Sequence, residues 1–370
     1  MAPERLRIGL IGTVSYFNHH FGRAIEAVPE MEAVAAATLG RSANYIQHSL
    51  GESLDEYVGT YGLTLYEDPW EMVTREGLQA VYLATEDHLQ AHYAIEAAKR
   101  GLHVFMHKPW ASNLEDADAI IAAARESNVV ILPNMPRRFK SACAYAQEQV
   151  QAGVIGRPLM IDTHHAHHLK FGPWKSDPMK AAGPEIEVGF YECDTHRMLM
   201  GAEPAKVYCV SDNLQHPGVP FVDNLKATVT FDTGAFGTLS MYYSTAFKFL
   251  PGGAIHLVGE EGGIVVRHAD VTIITRAGQE TITPEVEPYN TGDIRNWVHA
   301  CLGLAEPKTS LEDGRRTLEF CLALRASSRL GQPVTLPLDD QPEVLSAARP
   351  YSLDEFGDMP EPPRASGVSA

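Results

Sequence analysis

Three things are scarce in this sequence, and each scarcity removes a class of function. The five cysteines (Cys143, Cys193, Cys209, Cys301 and Cys321) are odd in number, scattered and never spaced C-x-x-C. That pattern does not suit a disulfide frame or a zinc knot; it suits reduced thiols in a cytoplasm. Acidic residues outnumber basic ones 47 to 30, the net charge is −17, and no cluster of five Lys/Arg occurs. A nucleic acid backbone is therefore not an expected partner. No apolar run reaches bilayer-spanning length, and the opening MAPERLRIGLIG enters a strand almost at once, without the apolar core of a signal peptide. No membrane partner is expected. The 370 residues suffice for a sizeable core shared between two domains.

What is present is organised around residues 101–113, GLHVFMHKPWASN. A short apolar run stops there at His107-Lys108-Pro109, and the proline holds the residue before it in extended backbone. Such a strand end delivers an ammonium to the carboxyl edge of a sheet, where open α/β folds bind ligands. Lys108 is thus a candidate catalyst, against the plainer reading of a solvated loop lysine. Upstream, the apolar VYLA passes through Thr85-Glu86-Asp87-His88 into an Ala-rich helix; downstream, Asn113 caps a second helix before VVILP. Strand and helix patterns alternate from LRIGLI to Leu132. That alternation predicts a parallel sheet with helices on both faces, a nucleotide-binding half.

A dinucleotide-binding turn after the first strand normally reads G-x-G-x-x-G, so that bare backbone can approach the pyrophosphate. Gly12 is kept, but Val14 and Phe17 stand at the later glycine positions. Two readings stay open. Either the loop has rearranged around Ser15, Asn18 and the helix N-terminus to take phosphate differently, or no dinucleotide binds there. At the end of the second strand the acidic residue that would hold a ribose hydroxyl is absent. Thr38 stands there with Arg41 shortly after, a pair able to accept the extra phosphate of NADP unless Arg41 is a plain surface arginine.

Taken in order, several stretches resemble the Gfo/Idh/MocA family of NAD(P)-dependent oxidoreductases, which includes glucose–fructose oxidoreductase and inositol dehydrogenase. They are IGLIG, YGLTLYED, ATEDHLQAHYAIEAAKRGLHVFMHKPWASNLEDADAIIAAA, the RRF of NMPRRF, VIGRPLMID, DNLKATVTFDTGAFGTLS and TSLEDGRRTLEFCLALRASSRLGQPVTLPL. The resemblance runs over roughly residues 5–340 and rests on order and spacing. It implies an α/β fold in which residues 1–135 form an N-terminal Rossmann domain with a parallel sheet. Residues 136–340 would form a C-terminal α+β domain with a large, mostly antiparallel sheet, one face toward the cofactor cleft and the other a subunit interface of a homodimer or homotetramer. Two helical patterns, DIRNWVHACLGL and GRRTLEFCLALRASSRL, are expected behind that sheet, and 341–370, rich in Pro and acid, as an extended tail. The Glu-Lys-Pro of the family is His107-Lys108-Pro109 in this chain.

Two further segments carry chemistry. In GPEIEVGFYECDTHRMLMG, a helix from about Glu187 would align Glu187, Tyr191 and Asp194 on one face. By resemblance, Glu187 and Tyr191 fall where the family places an Asp and a proton-exchanging His, and Tyr also occurs there in members like dihydrodiol dehydrogenase. A phenol near Lys108 is expected to have a lowered pKa. In HHAHH, alternation along a strand points His165 and His167 one way and His164 and His168 the other. By resemblance His165 contacts substrate; alternatively His165 and His167 with Glu187 or Asp194 form an open divalent-metal site. Trp174, in the following loop, is a candidate to stack on a sugar ring, and Arg137-Arg138 is read as a structural link between domains.

The expected function is hydride transfer between NADP or NAD and a carbinol carbon of a sugar, polyol or related ring alcohol. Lys108, Tyr191 and Glu187 would be catalytic, with His165, Asp194 and Trp174 on the substrate. Gly12, Thr13, Val14, Ser15, Thr38, Arg41, Thr85, His88, His107 and Lys108 would line the cofactor. The alternative is a redox-neutral, metal-dependent lyase, isomerase or hydrolase on the same fold.

Overall fold

In the computed structural model, which describes residues 5–13, 18–166, 174–216, 218–244, 253–286 and 291–351, the first part of the chain alternates strand and helix. Its elements are β1 (Leu6–Ile11), α1 (Asn18–Ala27), β2 (Met31–Ala37), α2 (Ala43–Leu50), α3 (Leu54–Tyr61) and β3 (Thr64–Tyr66). There follow α4 (Pro69–Glu76), β4 (Ala80–Leu83), α5 (Asp87–Lys99), β5 (His103–Met106), α6 (Leu114–Ser127) and β6 (Ile131–Pro133). The six strands form one sheet in the order β3-β2-β1-β4-β5-β6, each pair parallel. Strands β1, β4 and β5 are buried almost throughout, which is why they read as unbroken apolar runs. The strand order reverses between β1 and β4, and the crevice at their carboxyl ends is where this architecture takes ligands.

The second part begins with a 3-10 turn at Pro136–Phe139, then α7 (Ser141–Gln151), β7 (Pro158–Ala166), α8 (Pro184–Glu187), α9 (Gly189–Met200), β8 (Pro204–Asp212), β9 (Asn224–Phe231) and β10 (Phe236–Tyr242). It continues with β11 (Ala254–Gly259), β12 (Gly262–Arg267), β13 (Asp270–Thr275), β14 (Gly278–Ile282), α10 (Gly292–Cys301), α11 (Leu311–Leu330), β15 (Val334–Thr335) and α12 (Pro342–Ala348). Among the described residues its sheet has nine strands, in the order β14-β13-β12-β11-β7-β10-β9-β8-β15. Of the strand pairs described in it, only β7–β10 is parallel. Strict alternation on β9 buries Leu225, Ala227, Val229 and Phe231 and exposes Lys226, Thr228 and Thr230, the mark of a sheet covered on one face. Helices α9 and α11 pack on the covered side.

The two halves interlock next to Lys108. Trp110 is fully buried, and a Cβ on Gly314 of α11 would stand 2.8 Å from its indole nitrogen. Only glycine lets the helix approach so closely.

The fold matches the α/β class expected from the sequence, with two differences. Helix α10 does not pack behind the antiparallel sheet. Its Ile294, Trp297 and Val298 join the core of the first sheet with Leu6, Tyr82 and Phe105, and Trp297 meets Phe105 edge-on at 5.6 Å. The apolar i, i+3, i+4 stripe was legible, but its target was not. The segment read as an extended tail begins with α12, which packs on α11; the carbonyl of its Ala347 and that of Arg349 just beyond it accept hydrogen bonds from Arg329 (3.0 and 2.8 Å). Residues 352–370 lie outside the described residues.

Candidate active site

Lys108 follows β5 and is 4% exposed. Its Nζ donates to the Glu187 carbonyl oxygen at 2.9 Å, lies 3.8 Å from Glu187 Oε1, and sits over the Tyr191 ring, 4.7 Å from the centroid. The expected single helix is broken at Val188 into α8 and α9. The break ends α8 at Glu187, whose carbonyl, like other carbonyls at a helix end, is left for a partner outside the helix. The Glu187 carboxylate also pairs with Lys175. Burial alone would lower the Lys175 ammonium, but the charge of Glu187 overrides it and holds the pKa up.

Tyr191 departs from expectation. Burial, then the charge of Glu187, pushes its phenol well above the ordinary value, against the weaker pull of Arg137 and Lys175. Burial and the Glu187 charge outweigh the neighbouring cations, so the expected lowering gives way to a rise. His165 lies flat against the same ring, centroids 6.1 Å apart and planes 6° apart. Its Nδ1 is 3.5 Å from Glu192 Oε1.

Glu192 was not singled out in the sequence, yet it is wholly buried beside the site. Burial would raise its carboxyl, but Arg137, whose Nη2 donates to Oε1 at 2.6 Å, and His165 hold it at about 2. The signal for it was the Arg137-Arg138 pair, which needed buried carboxylates somewhere in the fold. Asp87 was also missed. Its Oδ2 accepts from the Ala182 amide at 2.8 Å, and burial, then the charge of Glu187, pushes its carboxyl up to about 7.

Several expected site residues are placed elsewhere. Asp194 does not line the cleft with Glu187 and Tyr191: Arg138 holds it through Nε and Nη2 at 3.0 and 2.9 Å, and Arg138 also binds Asp313 at 3.1 Å. Arg138 thus pairs with carboxylates of its own half of the chain, not across the domains as expected, and Asp194 is its counter-ion. Trp174 is buried in a small apolar cluster with Ala181, Phe221 and Tyr351 instead of presenting its ring to a ligand. His88 lines a cleft with Asn113, Met179 and Tyr351. Thr38 and Arg41 do stay at the carboxyl end of β2, Thr38 with its hydroxyl on the Tyr66 carbonyl at 3.3 Å and Arg41 paired with Glu86 at 2.7 Å.

His107 bonds the Tyr82 hydroxyl through Nε2. Burial, then His20, Lys108 and Lys175, pushes its pKa well down and keeps it neutral. His167, Val14, Ser15 and Phe17 lie outside the described residues. Among those described, no three His, Cys, Asp or Glu side chains are grouped to hold a metal ion, and the Glu187 carboxylate of the alternative metal set is engaged by Lys175.

The crevice at the ends of β1 and β4 suits a dinucleotide. Gly12 has φ +84°, and a Cβ there would stand 2.6 Å from the Ala84 carbonyl, so glycine lets the chain leave β1 hard against the end of β4. Thr13 Oγ1, Thr85 Oγ1 and Glu86 Oε2 are buried with no hydrogen-bond partner. Such orphaned atoms are few in native proteins, and these three sit at neighbouring strand ends where a ribose-phosphate chain would cross.

A six-stranded doubly wound sheet beside a large one-sided sheet, with a lysine at the carboxyl edge between them, defines a two-domain oxidoreductase scaffold. Residues 6–135 match the oxidoreductase family with an NAD-binding Rossmann fold, and residues 143–265 match the GFO/IDH/MocA C-terminal domain; the chain belongs to the Gfo/Idh/MocA oxidoreductase family. It is 26% identical to 1,5-anhydro-D-fructose reductase of Ensifer adhaerens, over 88% of this chain and 97% of that protein. It is 28% identical to scyllo-inositol 2-dehydrogenase (NAD(+)) of Bacillus subtilis, over 73% and 81%. It is 27% identical to 2,7-anhydro-N-acetylneuraminate hydratase of Mediterraneibacter gnavus, over 70% and 67%. In fold it resembles the WlbA dehydrogenase of Bordetella pertussis, solved with NADH and UDP-GlcNAcA, with TM-score 0.76 at 21% identity over 91% of this chain and all of that one. No helix among the described residues is long and apolar enough to cross a membrane.

Proposed function

We propose that this protein transfers hydride between a nicotinamide dinucleotide and a carbinol carbon of a sugar, polyol or related ring alcohol. The observation that carries the reading is the convergence of Lys108, Tyr191 and Glu187 at the carboxyl edge of the parallel sheet. A bound nicotinamide supplies the acceptor or donor of the hydride. Lys108 hydrogen-bonds the reacting oxygen and stabilises the negative charge that develops there. When a carbonyl is reduced, Tyr191, held in its protonated form, donates its proton to that oxygen and is reprotonated from water; when an alcohol is oxidised, the phenol oxygen accepts the alcohol's proton as its own proton passes to water. Glu187 holds Lys108 through its backbone carbonyl and Lys175 through Oε1, the carboxylate oxygen nearest both ammonium groups. His165, braced on Tyr191 and Glu192, orients a neighbouring hydroxyl. The sugar and polyol reductase and dehydrogenase activities of two relatives support the substrate class.

The test is a panel of sugars and polyols assayed by nicotinamide absorbance with wild type and Lys108→Ala. Turnover by wild type with loss in the variant, at unchanged dinucleotide affinity, is the expected result. Absence of nicotinamide turnover across the panel, with substrate consumed nonetheless, favours a second reading: redox-neutral chemistry on the same fold. That reading is favoured by the hydratase among the relatives and by Val14 and Phe17 in the phosphate turn. An assembly of two or four copies through the outer face of the nine-stranded sheet, in a reducing compartment, completes the reading. The supporting observations are Tyr208, Val210, Phe236, Val258 and Ile274 exposed in that sheet and five unpaired thiols.

A further inference from the structure

Arg41 and Glu86 meet across the end of β1. Arg41 follows β2, on one side of β1 in the sheet, and Glu86 follows β4, on the other. The guanidinium Nη2 donates to Glu86 Oε1 at 2.7 Å, and the Tyr45 hydroxyl of α2 donates to the same oxygen at 3.1 Å. Burial, then the charge of Glu86, pushes the Tyr45 phenol up to about 12, so it remains a donor. The Glu86 carboxylate is wholly buried while the Arg41 side chain is one-third exposed. Its second oxygen, Oε2, is buried without a hydrogen-bond partner, as are the Thr13 and Thr85 hydroxyls at the adjoining strand ends.

On the reading that a dinucleotide crosses the β1–β4 crevice, this is the neighbourhood of its adenosine ribose. We propose that Glu86 is the specificity-determining residue that makes this chain prefer NAD to NADP, reading the ribose hydroxyls with Oε2 and keeping Arg41 engaged. A carboxylate accepts from a diol with the lone pairs that its ion pair leaves over. A 2′-phosphate at the same place would set two negative groups together in a poorly solvated crevice, and would have to strip Arg41 from a buried partner. The acidic reader missing from the end of β2 is thus supplied from β4, and rejection of the wrong cofactor comes from repulsion as much as from the bonds offered to the right one.

The experiment is a titration of the purified full chain with NADH and NADPH by nicotinamide fluorescence. ADP-ribose and its 2′-phosphate are titrated in parallel by calorimetry, so that binding is read without turnover. Wild type is expected to bind the unphosphorylated member of each pair at least about tenfold more tightly. Glu86→Gln keeps the shape, removes the charge and is expected to raise affinity for the phosphorylated members about tenfold. Adding Arg41→Ala to that variant is expected to abolish the gain, because the freed guanidinium is what the phosphate then uses. Equal binding of NADH and NADPH by wild type, or an unchanged ratio in Glu86→Gln, overturns this proposal alone. Binding of neither dinucleotide by protein shown folded by circular dichroism overturns it together with the oxidoreductase reading on which it rests.

Discussion

The ammonium of Lys108 stands over the face of the Tyr191 ring, 4.7 Å from its centroid, so cation and phenol share a site without the cation ionising the phenol. Removing the cation tests the charge-stabilising role directly. Lys108→Ala is expected to lower kcat by about 10²–10³, the usual consequence of losing one donor to a developing oxyanion. Dinucleotide affinity, read by fluorescence, should stay within a few fold. A variant that keeps its kcat would remove Lys108 from the chemistry.

Tyr191 gives a prediction in pH. Its folded pKa is raised by burial and by Glu187, so the phenol stays neutral through the working range and contributes no ionisation below its ordinary value. Tyr191→Phe is expected to lower kcat by about 10²–10⁴ while leaving the shape of the kcat/KM profile between acid and neutral pH unchanged. A basic limb near neutrality that disappears in Tyr191→Phe would show a lowered phenol instead.

Asp87 gives a prediction in stability. Its carboxyl is raised to about 7 in the folded chain from 3.8. Between those values the folded state binds more protons than the unfolded one, so this group makes stability fall as pH rises from about 4 to 7, by at most ~1.4 kcal/mol for each pH unit crossed. Asp87→Asn retains an oxygen for the Ala182 amide and should flatten that dependence in urea melts run across the range. Identical slopes for the two proteins would place the carboxyl at its ordinary value.

Asp194 separates a structural role from a substrate role. Arg138 grips it with two nitrogens inside the protein, and breaking a buried pair by removing one partner costs about 3–5 kcal/mol. Asp194→Ala should therefore lower the urea midpoint strongly, with KM in the surviving folded fraction little changed. A variant of wild-type stability and raised KM would return Asp194 to the substrate.

The outer sheet face predicts assembly. Phe236, Met160 and Val258 stand side by side on β10, β7 and β11, and Phe236 is 52% exposed. Wild type should run as a dimer or larger in light scattering, and Phe236→Glu should shift it toward monomer, since a charge is poorly tolerated at the centre of an interface. Equal masses for the two would move the interface elsewhere.

The alternation of apolar strands and helices made the parallel sheet readable, because burial on both faces leaves an unbroken apolar signature. The nine-stranded sheet was readable from the period-two pattern of strands such as β9. The destination of α10 was not, since a helical stripe says that a face is buried without saying against what. Lys108 was legible because a strand end and a proline fix it locally. Glu192 and the fates of Asp194, Trp174 and Arg41 were not, because each depends on a partner 45 or more residues away: Arg41 on Glu86, Glu192 on Arg137, Asp194 on Arg138, Trp174 on Phe221.

Trp110, two residues beyond Lys108, is wedged under Gly314 of α11 with no room for even a methyl group between them. The two halves of the molecule are thus keyed together two residues from Lys108, like a drawer locked by its own handle.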